Sequence, residues 1–122
     1  MIASRIKNVV LILALMGLPI SCSQPKAKPI TEVSPNELEK GILLDVRTPE
    51  EFAAGHLEGA LNIDWFREDF LSAIDSLPAN KTLFLYCKKG GRSSKAAHLL
   101  DSLGYKTMEL TGGYDAWVKA NP

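Results

Sequence analysis

Leu83-Phe84-Leu85-Tyr86-Cys87-Lys88-Lys89-Gly90-Gly91-Arg92-Ser93 is the stretch whose reading decides the fold. Four apolar or aromatic residues in succession read as a short strand covered on both faces. The chain then enters a cysteine and a glycine-rich loop without a spacer. From Ser93 to Leu103 the residues Ala96, Ala97, Leu99, Leu100 and Leu103 recur at helical spacing, and Gly104 closes the run. The predicted order is therefore strand, cysteine loop, helix, and the carboxyl ends of strands are where open parallel sheets bind ligands.

The loop has the ingredients to activate sulfur. A free thiol has a pKa of about 8.5 and is a modest nucleophile near neutrality. Unpaired amides and the positive end of a helix dipole favour a thiolate, or any bound anion, at such a position. Gly90 and Gly91 can adopt the positive φ angles that turn successive amides inward as an anion nest, and Lys88, Lys89 and Arg92 add positive charge. The alternative for Cys87 is a small buried hydrophobe beside an ordinary Gly-Gly turn.

Working outward, Ser34-Pro35-Asn36-Glu37 and Thr48-Pro49-Glu50-Glu51 each place a capping hydroxyl, a first-turn proline and a glutamate three positions on, so both predict helix starts. Ile42–Val46, Ala60–Ile63 and Thr107–Leu110 read as further short strands, Trp65–Leu77 as a helix with Phe66, Phe70, Leu71, Ile74 and Leu77 in the core, and a terminal helix holds Trp117. Strands alternating with helices predict an α/β fold, a parallel sheet with helices on both faces.

Three segments carry a family resemblance. Cys87–Ser93 matches the Cys-x-x-Gly-x-Arg-Ser active loop of the rhodanese family, residues 44–63 are similar to its Asp-x-Arg, Glu-Phe and Gly-His-Leu-x-Gly-Ala-x-Asn motif, and Leu110–Trp117 resembles its closing Gly-Gly-x-x-x-Trp. The resemblance spans about residues 31–120. It implies a rhodanese-like fold with a five-stranded parallel sheet and a sulfurtransferase. A small anionic donor such as thiosulfate would load Cys87 as a persulfide, and a thiol or cyanide would accept the sulfur. No metal or organic cofactor is implied.

The same resemblance assigns Arg92 to fixing the loop or its anion, and the amides from Lys88 through Lys89, Gly90, Gly91 and Arg92 to Ser93 to stabilising thiolate and persulfide. Asp45 and Arg47 would stand behind the loop in support, the alternative being a structural ion pair at a strand end. His56 reads as a hydrogen-bonded turn residue. With two histidines and two cysteines in the chain, no metal cluster assembles. Two rival functions remain: a sulfur-carrier or docking module without turnover, and a cysteine-dependent phosphatase or arsenate reductase. Four residues separate Cys87 from Arg92, one fewer than in the phosphatases of related fold, which favours sulfur.

The N-terminal segment reads as an export signal. Arg5 and Lys7 precede the apolar run Val9–Ile20, too short for a membrane span of about 17–25 residues. Leu18-Pro19-Ile20-Ser21-Cys22 resembles a bacterial lipobox, with Pro19 where an aliphatic residue is usual. The expected organisation is a signal peptide over 1–21, lipidation of Cys22, a Pro/Lys tether over 23–30 and one domain over 31–122. The expected location is the periplasm or cell envelope, anchored to the membrane by lipid. Without Arg5 and Lys7, twelve basic residues face fourteen acids, which excludes a nucleic-acid partner on charge grounds. A composition of 46% hydrophobic and 23% charged residues is that of an ordinary globular domain, and a monomer is expected.

Overall fold

A computed structural model describes residues 24–122. The expected signal segment and Cys22 lie outside the described residues. Five parallel strands form one sheet in the order β1-β5-β4-β2-β3: β1 (Lys26–Pro29), β2 (Gly41–Asp45), β3 (Leu61–Asn62), β4 (Thr82–Tyr86) and β5 (Thr107–Thr111). The helices are α1 (Pro35–Glu39), α2 (Pro49–Ala54), α3 (Phe70–Asp75), α4 (Gly91–Ser102) and α5 (Gly113–Ala120), with a 3-10 turn at Ile30–Glu32.

Alternation along β4 divides the core into two layers, because successive strand side chains point to opposite faces. Leu83 and Leu85 pack with Ile74 of α3 and Ala96, Ala97 and Leu100 of α4. Phe84 and Tyr86 pack on the other face with Leu110, Leu38 of α1, Phe52 of α2 and Trp117 of α5. Helices thus cover both faces, as predicted. Both capping boxes form: Ser34 Oγ accepts from Glu37 N at 3.2 Å, and Thr48 Oγ1 accepts from Glu51 N at 3.3 Å.

The tether expected over 23–30 is corrected. Residues 26–29 are the edge strand β1, paired in register with Met108–Thr111 of β5, and Ile30 is buried in the core. The segment lacks apolar periodicity because an edge strand is held by backbone hydrogen bonds and leaves most side chains in water, and an edge position tolerates Pro29. The helix expected over Trp65–Leu77 is also shorter. Turns occupy residues before Phe70, Phe66 is 68% exposed rather than in the core, and Leu71 is exposed as well. Asp64 Oδ1 accepts from Phe66 N at 2.9 Å, a local turn that competes with helix here. Among the described residues no helix is long and apolar enough to cross a membrane.

Candidate active site

The sheet places Cys87 at the carboxyl end of its central strand. From β2 the chain moves outward to β3, and from β4 it moves to β5 on the other side, so the ends of β2 and β4 form the switch point where ligands bind. Val46 N donates to Tyr86 O at 3.0 Å there. A cavity of about 680 Å³ between α1, the start of β2 and Trp117 does not include Cys87.

The sulfur is enclosed by the Cys87 loop. Cys87 is 1% exposed. Gly90 N donates to Sγ at 3.1 Å, and Ser93 Oγ lies 3.4 Å from it. Burial pushes the thiol up, but hydrogen bonds from the Ser93 hydroxyl and from the Ser93, Gly90 and Arg92 amides outweigh it, so the thiol is held below its ordinary value. Gly90 reaches φ 122°, which turns its amide toward the sulfur. Lys88 and Lys89 are exposed on the rim.

Ser93 can serve both protonation states. Its Oγ donates to Gly90 O at 3.2 Å, leaving it free to accept from a thiol, or it can turn its one proton to a thiolate. Gly90 O stays paired in either case because Ser94 N donates to it at 3.0 Å.

The start of α5 holds the loop from outside. Tyr114 N donates to Cys87 O at 2.8 Å and Asp115 N to Lys88 O at 3.1 Å, so the free amides of a helix N-terminus take the carbonyls of the Cys87 loop. Gly113 makes the approach possible. Its φ is +65°, and a Cβ there would stand 2.6 Å from Cys87 O and closer still to Lys88 O. In the sequence Gly112-Gly113 is the Gly-Gly of the closing motif, and nothing local says what it approaches.

Arg92 is occupied by Glu51. Nη1 and Nη2 donate to Oε1 and Oε2 at 2.5 and 2.9 Å, and this pairing is the chief reason Glu51 is lowered to about 2. Arg92 therefore ties the first turn of α4 to a carboxylate on α2. Sequence reading found Glu51 as a helix cap and missed this second role, which depends on two helices meeting across the sheet end.

Asp45 and Arg47 form a buried ion pair. Arg47 Nε donates to Oδ1 at 2.9 Å and Nη2 to Oδ2 at 2.6 Å, while Nη2 also reaches Gly55 O at 2.6 Å. Neither touches the sulfur. His56 keeps to its turn, with Nδ1 2.9 Å from Phe52 O and its ring stacked on Phe52 at 3.7 Å. Among the described residues no group of His, Cys, Asp or Glu gathers as a metal site.

Residues 34–120 match the rhodanese-like domain family. The chain is 38% identical over 87 residues to thiosulfate sulfurtransferase 16 of Arabidopsis thaliana, covering 62% of this chain and 72% of that protein. It is 42% identical over 88 residues to the Arabidopsis thaliana protein High Arsenic Content 1, covering 63% of this chain and 52%, about half, of that protein. A rhodanese-related protein from Thermoplasma volcanium superposes with a TM-score of 0.69 at 23% identity, covering 78% of this chain and 92% of that one, a likeness of fold alone. Sulfurtransferase activity is thus supported at the level of the family. The chain belongs to the rhodanese-like domain family.

Proposed function

We propose that the chain is a thiosulfate-type sulfurtransferase that carries sulfur on Cys87. The observation that supports this reading is one sulfur enclosed by the Gly90, Arg92 and Ser93 amides and the Ser93 hydroxyl, with its thiol lowered despite burial. The thiolate attacks the outer sulfur of thiosulfate. The S–S bond of the donor breaks, sulfite leaves with the electron pair, and Cys87 becomes a persulfide anion. The new bond of about 2 Å carries the outer sulfur beyond the buried Sγ. Cyanide or a thiolate then attacks that sulfur, Cys87 leaves as thiolate, and the cycle closes with thiocyanate or a new persulfide.

Mass spectrometry after thiosulfate treatment tests loading: wild type gains one sulfur and Cys87→Ser gains none. Thiocyanate release over many cycles distinguishes an enzyme from a carrier, since a carrier stops after one equivalent. The relative named for high arsenic content motivates a parallel assay with arsenate. Arsenate reduction without sulfur loading would replace the present reading by the oxyanion one.

The location of the protein is part of the same proposal. Export through residues 1–21 and lipidation at Cys22 would place the domain at the cell envelope as an anchored monomer. Palmitate labelling that disappears in Cys22→Ala is the expected result, and equal labelling of both would end the anchor.

A further inference from the structure

Tyr114 is tied to the catalytic loop on one side and to a buried ion pair on the other. Its backbone N–H holds Cys87 O at 2.8 Å. Its ring receives the Arg47 guanidinium, whose Cζ stands 4.3 Å from the ring centroid. A guanidinium rests favourably on the negative face of an aromatic ring, and more so where water is excluded. Arg47 has no freedom to drift. Asp45 takes Nε and Nη2, Gly55 O takes Nη2 again, and the Tyr86 ring centroid stands 5.8 Å from its Cζ. The hydroxyl end of Tyr114 packs against Gly55, where any Cβ would collide with it.

We infer that Tyr114 is a positioning residue that transmits the geometry of the Asp45–Arg47 pair to the Cys87 loop. The carbonyl and N–H of one planar peptide unit point in opposite directions. Holding Cys87 O and Lys88 O toward α5 therefore turns the Lys88 and Lys89 amides away from it and sets the path on which Gly90, Arg92 and Ser93 face the sulfur. A pair that served only to satisfy a strand end would need no such contact with α5. The inference rests on the reading of Cys87 as the reactive sulfur, and it gives Asp45 and Arg47 a route to that sulfur through a residue with no role in the transfer itself.

The test uses the full chain as wild type, Tyr114→Leu, Tyr114→Phe, Arg47→Lys and the Arg47→Lys/Tyr114→Leu double variant. Iodoacetamide alkylation is followed against pH on the Cys87 peptide, with sulfur loading and thermal melting measured in parallel. Tyr114→Leu should move the alkylation midpoint upward and slow loading roughly tenfold at neutral pH, as expected of a misplaced reacting group. Tyr114→Phe keeps the ring and should restore the wild-type midpoint. Arg47→Lys keeps the charge but loses the flat fork, so it should shift the midpoint in the same direction. The double variant should shift it no further. A lower melting temperature in Tyr114→Leu with wild-type midpoint and loading would overturn the inference and leave Tyr114 a packing residue. If Tyr114→Leu does not fold, Tyr114→Met, which fills space without a ring face, is read by the same criteria. If wild type never gains sulfur, the proposed transfer falls, and the alkylation midpoints still decide the role of Tyr114.

Discussion

Glu51 and Arg92 join α2 to α4 through two parallel hydrogen bonds of 2.5 and 2.9 Å, although 41 positions separate them in sequence. The two helices lie on opposite faces of the sheet. The pair therefore bridges the layers at the carboxyl end of the strands, directly behind the loop that encloses Cys87. A two-point contact between planar groups fixes orientation as well as distance.

Replacing Glu51 by Gln should release the helix that follows the loop. The expected cost is about 1 kcal/mol, a fall of about 5 °C in melting temperature for a domain of this size. Sulfur loading should slow severalfold. A variant that melts lower but loads at the wild-type rate would limit the pair to stability.

The same pair predicts an acid limit. Arg92 is the leading cause that lowers Glu51 from 4.5 to about 2. A carboxylate with a depressed folded value contributes stability that is fully present above about pH 4.5 and is lost as pH falls toward 2. The melting-temperature gap between wild type and Glu51→Gln should close over that window. A gap that stays constant would show that the charge of Glu51 contributes nothing.

Ser93→Ala should raise the Cys87 thiol, because it removes the hydroxyl that lowers it while the burial that raises it remains. Alkylation at neutral pH should slow severalfold and recover as pH rises. An unchanged rate profile would assign all of the lowering to backbone amides.

Gly113→Ala should be among the most damaging single changes. The new methyl would meet the carbonyls of Cys87 and Lys88, and the φ of +65° is unfavourable for alanine. About 2 kcal/mol of destabilisation and loss of sulfur loading are expected, measured by denaturant unfolding and mass spectrometry.

A chain shortened to begin at Ile30 should melt lower and aggregate more readily than one that begins at Gln24. Without β1, the edge of β5 that pairs with Lys26–Pro29 is open to other chains. Equal melting temperatures would return residues 26–29 to the role of a tether.

Much of the fold was written in local pattern. The apolar run at Leu83–Tyr86 and the capping boxes at Ser34 and Thr48 concern groups a few residues apart, and the structure shows these elements where the pattern placed them. The polar segment Lys26–Pro29 was missed because its pairing is made by backbone groups whose partner lies some 80 residues away. Phe66 was misplaced because a local Asx turn and helical periodicity make opposing claims on the same residues.

The sequence by itself determined that a cysteine would end a strand before a glycine-rich helix start, since strand, turn and cap are set by side-chain type and short-range hydrogen bonding. Only the tertiary structure decided what holds that loop in shape. Glu51 on Arg92, Gly113 under the Lys88 carbonyl and Arg47 on the ring of Tyr114 each join segments far apart along the chain. Such contacts follow from where the packed helices meet at one end of the sheet, and no spacing along the sequence encodes that meeting directly.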